Sequence, residues 1–223
     1  QHSLNRILQA RGIRGIIIHA HHRKIQNWDI DWSQFAAVTY CSSLHERFLH
    51  NVMCSSYQDM YDAVINLYDR GYKRPGYLAT DPMFDYWEAG VESASRLGRQ
   101  RRLIFKPAKT DLQHPELLQK KFIQWFAKEK PDAIIATHNE NIMAALKENR
   151  IRIPEDAGYC CLDILPTMSH LSGLVQLRDA TCKVMIDLLH GMLLRNEFGP
   201  PAQPLFIQVP AIWNEGTTLR LKN

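Results

Sequence analysis

Long apolar runs are missing from this sequence of 223 residues, and no uninterrupted hydrophobic stretch approaches the roughly 18 residues that cross a bilayer. We therefore expect no contact with a membrane. An excess of one charge is missing too: 27 Lys and Arg face 23 Asp and Glu, which leaves a net charge of +4. The basic residues are scattered along the chain, so the charge gives no indication of a phosphate-binding face.

Cysteine is scarce. The five cysteines are an odd number at irregular spacing without a CxxC pair, which predicts reduced core thiols in a cytoplasmic protein rather than a disulfide framework. Cys160 and Cys161 are adjacent, so on a strand they would face opposite sides of a sheet. The chain starts at Gln1, with neither an initiator Met nor a signal peptide, and we expect the natural chain to be longer at this end.

Enzyme signatures are also missing. The sequence has no GxSxG, GxGxxG, GxxxxGK[ST] or HExxH motif, so it predicts no catalytic residue, no cofactor and no enzyme. His19, His21 and His22 are spaced so that a strand end could hold a metal. A solvated strand end before Arg23 and Lys24 is the favoured interpretation, because no further ligand is placed by the sequence.

Hydrophobic periodicity alternates between helix and strand along the whole chain, which predicts an α/β protein with parallel sheets flanked by helices. The tail from Trp213 reads as polar and turn-like. Breaks near Asn51, near Pro166 and around Gly199 would let the chain cross three times between two discontinuous lobes. Helices are predicted over residues 4–9, 56–69, 86–97, 115–128, 140–149 and 180–195. Strands are predicted over 15–19 (GIIIH, buried on both faces), 36–40, 76–80, 102–105, 133–137, 158–163, 174–176 and 205–209.

Polar and aromatic side chains follow the predicted strands, at the sheet edge where parallel α/β proteins bind ligands. These residues are His19, Tyr40, Asp81, His138, Asn139 and Asp163. Asp163 would either accept two hydrogen bonds from adjacent hydroxyls of a polyol or cap the next turn, and the pattern leaves both open. Trp87 would either stack on a sugar or a base, or fill the core.

Four segments of the chain, in order, resemble the lactose and galactose repressor (LacI/GalR) family of transcription regulators. The segment over residues 52–78, together with the motif RGYKRPGYLAT at residues 70–80, is similar to that family's helix, turn and following strand. Residues 130–164 carry PDAI, a short helix, IPED and a strand ending in Asp. Residues 171–189 are similar to the family's LTTV crossing and the long helix after it. The strand over 205–209 and the closing GTTLR resemble its C-terminal end.

The resemblance implies a two-lobed, periplasmic-binding-protein-like fold with three crossings and a ligand in the cleft. We assign residues 1–51 and 166–200 to the N-terminal lobe, which would be incomplete, and residues 52–165 and 201–223 to the C-terminal lobe. The sheet of the first lobe would include the strand at Leu174 and would keep an exposed apolar flank.

Carried over by position, the family's ligand contacts fall on His138, Asn139, Asp163 and Gln176, and His19 would join them from the first lobe. Trp87 stands where the family usually has an Arg, which favours a stacking role for it. Ser55 replaces an Asp expected after Val52.

The implied function is that of a cytoplasmic, homodimeric effector sensor without catalysis or metal. Its effector would be a carbohydrate, with a purine left open, and it would control DNA binding through an N-terminal helix-turn-helix outside these residues. The alternative is a periplasmic sugar-binding protein of a transporter, which would have the same fold.

Overall fold

The computed structural model describes residues 3–19, 25–40, 48–79 and 85–220. In chain order the elements are α1 (Ser3–Ala10), β1 (Gly15–His19), β2 (Ala36–Tyr40), β3 (His50–Cys54), α2 (Ser56–Asp69), β4 (Pro75–Leu78), α3 (Asp85–Leu97), β5 (Leu103–Phe105), α4 (Lys109–Leu112), α5 (Pro115–Glu129), β6 (Ala133–Ala136), α6 (Glu140–Glu148), β7 (Gly158–Cys161), β8 (Ser172–Val175), α7 (Arg178–Leu194), β9 (Phe206–Val209) and β10 (Ile212–Asn214). Three short 3-10 turns, Ile25–Asn27, Trp32–Gln34 and Pro166–Met168, complete them.

The chain divides into two compact units. Unit 1 comprises Gln1–Ser55 and Leu177–Val209, and unit 2 comprises Ser56–Gln176 and Pro210–Asn223. Each unit is discontinuous and the chain passes between them three times, as the resemblance implies. The boundaries lie later in the chain than those that we assigned to the lobes, because β8 pairs within unit 2 and β9 within unit 1.

Unit 1 contains a four-stranded parallel sheet in the order β1-β2-β3-β9. The helix α7 covers one face, where Met185 and Met192 pack with Val38 and Val52. Trp32, Ile25 and Leu49 cover the other face. The strand β1 lies at an edge of the sheet, and its central residue Ile17 is 43% exposed, so the prediction that GIIIH is buried on both faces is wrong.

Unit 2 contains a six-stranded sheet in the order β10-β8-β7-β6-β4-β5, parallel except for β10. Side chains alternate across it: Tyr77, Ile135 and Cys160 pack with α2 and α3 on one face. On the other face Ile134 and Cys161 pack with α5 and α6. The parallel, helix-covered architecture is confirmed, and so is the opposite orientation of the two adjacent cysteines.

Three strand assignments need correction. The strand at Leu174 was expected in the sheet of the first lobe, but β8 pairs with β7 in unit 2, where Leu174 joins the core. The strand over 205–209 was expected in the second lobe, but β9 pairs with β3 in unit 1. The tail at Trp213 is not turn-like throughout: β10 pairs antiparallel with β8, because Trp213 packs against the core.

Cys54, Cys160, Cys161 and Cys182 form no disulfide bond. Cys160 and Cys161 are core residues as predicted, whereas Cys182 is exposed on α7, so not every thiol lies in the core. Within the described ranges no helix is long and apolar enough to cross a membrane.

Gly173 lies where β8 passes close to β7. Its φ is +140°, and a Cβ there would lie 2.0 Å from the carbonyl oxygen of Cys161. We expect Gly173→Ala to lower the free energy of unfolding by about 3 kcal/mol or more, because it combines backbone strain with a clash. Urea denaturation followed by circular dichroism measures this. Gly12→Ala is the control, because φ is also positive (+66°) but the space is open, and its cost should stay near 1 kcal/mol.

His50 connects β3 to the chain before β9, and its Nδ1 accepts a hydrogen bond of 2.9 Å from the backbone N–H of Leu205. Burial lowers the pKa of His50 below its usual 6.5. The unfolded chain therefore takes up this proton first, and stability should fall as the pH drops below about 6.5. Thermal unfolding at about pH 7.5 and about pH 5.5 tests this. His50→Asn, which keeps an acceptor but does not titrate, should reduce the pH dependence, and the exposed His170→Asn should not.

Candidate functional site

The carboxyl ends of three neighbouring strands form one edge of the unit 2 sheet, with β7 between β6 and β8. Cys161 is in register with Ala136 on one side and with Gly173 on the other. Beyond the strands, the N–H of Leu162 donates to the carbonyl of Ala136 over 2.9 Å, and that of Ile164 to the carbonyl of Leu174 over 2.8 Å. This edge places three of the predicted ligand contacts in one region, namely His138, Asp163 and Gln176.

Gln176 is 8% exposed, and the nitrogen of its side-chain amide donates hydrogen bonds to two acceptors. Its Nε2 donates to Asp59 Oδ2 and to the carbonyl oxygen of Leu162, each over 3.2 Å. Its Oε1 is buried and has no hydrogen-bond partner among the described residues. A buried acceptor without a donor costs about 1–3 kcal/mol, so a donor from a bound molecule would be favourable here.

Asp59 was missed by the sequence analysis. It lies in the first turn of α2 and is 2% exposed, and its Oδ1 accepts a hydrogen bond of 2.9 Å from the N–H of Ala211. Burial raises the pKa of Asp59, and the hydrogen bonds from Ala211 and Gln176 oppose that rise. The feature of the sequence that could have revealed Asp59 is its position beside Met60 on the apolar face of α2, because carboxylates are rare on such a face.

His138 follows β6, and its ring Nδ1 is buried without a hydrogen-bond partner among the residues that the structure describes. The Cys161 thiol lies beside the backbone of both His138 and Asp163, which connects these two strand ends. Burial raises the pKa of that thiol, which disfavours the thiolate form. Asp163 is half-buried and is engaged in an interaction of its own.

Asn139 caps α6. Its Oδ1 accepts from the N–H of Asn141 over 3.0 Å and of Ile142 over 3.2 Å. The oxygen therefore has a structural role, and the amide nitrogen is the atom that can donate to a ligand.

Trp87 is 6% exposed on α3 and belongs to the same core cluster as Met60 and Val64. In the structure this side chain therefore fills the core, which is one of the two interpretations that the sequence left open. Its stacking role remains a prediction.

His19 belongs to unit 1 and is exposed at the end of β1, where its ring lies 5.2 Å from that of Tyr40. Burial raises the pKa of Tyr40 to about 12. His21, His22 and Asp81 lie outside the described residues. Among the residues that are described, no group of three or more His, Cys, Asp or Glu is placed to hold a metal.

The sequence model of the periplasmic binding protein-like domain matches residues 64–217. The chain belongs to this family. Its periplasmic-binding-protein-like fold confirms the predicted class and the resemblance to LacI-family effector domains. No curated protein sequence matches it significantly.

Several solved structures with the same fold hold sugars. A LacI family transcriptional regulator from Enterococcus faecium with bound ribose is 14% identical, with a TM-score of 0.72 over 97% of this chain and 83% of that one. A periplasmic binding protein/LacI transcriptional regulator from Alkaliphilus metalliredigens with D-xylulofuranose is 15% identical, with a TM-score of 0.66 over 96% and 80%. The regulator CelR with cellobiose is 14% identical, with a TM-score of 0.69 over 96% and 68%.

Burial of Trp87 in this periplasmic binding protein-like domain predicts a large effect on stability. We expect Trp87→Ala to lower the free energy of unfolding by about 3–5 kcal/mol, because it leaves a cavity among α2 and α3 side chains. Urea denaturation measures this loss. The half-buried Trp213 is the control, and its replacement by Ala should cost less. A Trp87→Ala protein as stable as the wild type would show that the ring is not a core residue.

Proposed function

We propose that this domain senses a small carbohydrate for a transcription regulator of the LacI type. The observation that carries the proposal is the polar edge of the unit 2 sheet, where Gln176 has a buried acceptor without a donor and where Asp163 and His138 follow the neighbouring strands. The regulators with the same fold that hold ribose, D-xylulofuranose and cellobiose support it.

Sugar hydroxyls suit these side chains. A carboxylate such as that of Asp163 accepts two hydrogen bonds from adjacent hydroxyls, which are charge-assisted and therefore strong. The Gln176 oxygen accepts a third, and the unpaired ring nitrogen of His138 donates or accepts according to its tautomer. The set therefore recognises a polyol. A purine offers fewer donors and remains the alternative ligand.

Regulation would follow from differential binding. A sugar that binds one conformation of the protein more tightly than another shifts the equilibrium between them, and a homodimer would transmit this shift to DNA-binding segments outside these residues. Four cysteines without a disulfide bond fit a reducing, cytoplasmic compartment better than a secreted binding protein. The domain itself would catalyse no reaction.

Calorimetric titration with D-ribose, D-xylulose, cellobiose, adenine and guanine tests the proposal. We expect at least one of the sugars to bind and the purines not to bind. Asp163→Asn should weaken that sugar about 10- to 100-fold, because it removes charge-assisted hydrogen bonds.

Asp69→Asn, at an exposed position on α2, is the control and should bind as the wild type does. A wild-type protein that binds none of the sugars would contradict the proposed function. Unchanged affinity in Asp163→Asn would remove Asp163 from the site.

A further inference from the structure

Asp59 and Gln176 form a buried hydrogen-bonded pair in which Gln176 is the donor and Asp59 is the acceptor. Gln176 Nε2 donates to two groups, the Asp59 carboxylate and the carbonyl oxygen of Leu162. The backbone carbonyl of Leu162 can never donate, and Asp59 Oδ2 is the acceptor in its bond with Gln176. Turning the amide over would place its oxygen against two acceptors, so only one orientation is favourable. In that orientation Oε1 is the atom left for another donor.

The carboxylate is itself held in place from a distant part of the chain. Asp59 Oδ1 accepts from the backbone N–H of Ala211, while Oδ2 accepts from Gln176. All of these groups belong to unit 2. Asp59 is 2% exposed, so water does not compete for its oxygens. These hydrogen bonds together hold the Gln176 amide in a single orientation.

We propose that Asp59 is a positioning residue that determines specificity, because it fixes the Gln176 amide with its acceptor available to the ligand. The inference rests on the proposed function and deepens it. A ligand group at Gln176 must then donate a hydrogen, as a sugar hydroxyl or an N–H does. A methoxy group or an unprotonated ring nitrogen at the same place would be rejected, since it would leave Oε1 unpaired.

Asp59→Asn reverses the hydrogen bond of this pair, so that position 59 becomes the donor and Gln176 the acceptor. The Asn oxygen can keep the bond from Ala211, but its NH2 group then faces the NH2 group of Gln176. The Gln176 amide must turn over, which presents a donor to the ligand and breaks the bond to Leu162. The substitution changes little in volume, so its effect reports on hydrogen-bond direction rather than on packing.

Nitrogen-15 NMR of the full-length protein without sugar tests the orientation. The side-chain amide signal of Gln176 is assigned by its loss in Gln176→Glu. In Asp59→Asn we expect this signal to move and its exchange with water to become about tenfold faster or more, because both bonds of Nε2 are lost. Asp69→Asn, exposed at the other end of the same helix, should leave the signal unchanged. An unchanged signal in Asp59→Asn overturns the inference.

Sugar binding provides the second measurement, with whichever of D-ribose, D-xylulose and cellobiose binds the wild type. Asp59→Asn should weaken that sugar about tenfold or more. The double variant Asp59→Asn/Gln176→Glu restores a bond in the opposite direction, from Asn to Glu, and keeps an acceptor for the ligand. It should therefore bind more tightly than either single variant, which a general loss of structure would not produce.

The two proposals fail separately. If no sugar binds the wild type, the proposed function fails, and the NMR signal still decides whether Asp59 orients Gln176. If a sugar binds the wild type and Asp59→Asn equally well, the positioning role of Asp59 is overturned and the proposed function stands.

Discussion

The parallel pairing of β7 with β6 and β8 is the constraint on which the site depends. Because Cys161 is in register with both Ala136 and Gly173, the three chain segments leave the sheet side by side. Residues far apart in the sequence thus become neighbours at one edge of the sheet. The backbone of Gly173 runs so close to Cys161 that no side chain fits there. This strand register therefore requires a glycine at position 173.

The edge that results is costly to the folded state. A carboxylate at Asp59 and an amide at Gln176 are both withdrawn from water, and such groups are tolerated only when hydrogen bonds replace their hydration. The carboxylate is compensated by two donors, whereas the amide oxygen is not compensated by any described residue. Groups left unsatisfied in an otherwise consistent core are a mark of functional sites, because a ligand can supply the missing partner.

Much of the fold was readable because periodicity is a local property. The apolar spacing in α2 and the proline that begins α5 predicted both helices almost to the residue. Strand partners are not local, and here the sequence failed. Nothing within β8 or β9 distinguishes a strand that pairs with β7 from one that pairs with β3, so both were placed in the wrong sheet. For the same reason β1 was expected to be covered on both faces although it lies at a sheet edge.

The residues of the site likewise differ in whether the sequence alone could reveal them. His138 and Asp163 could be found because they follow strands, and position relative to a strand is readable from the sequence. Asp59 could not, since its partners lie 117 and 152 residues away. Its only local trace was a charge on the apolar face of a helix. A charged residue in such a position either disrupts the core or has a buried partner, and Met60 and Leu67 of the same helix are fully buried in the core, which favours the second. Charges that violate a helix's own amphipathic pattern therefore identify long-range polar contacts that strand-end reasoning does not reach.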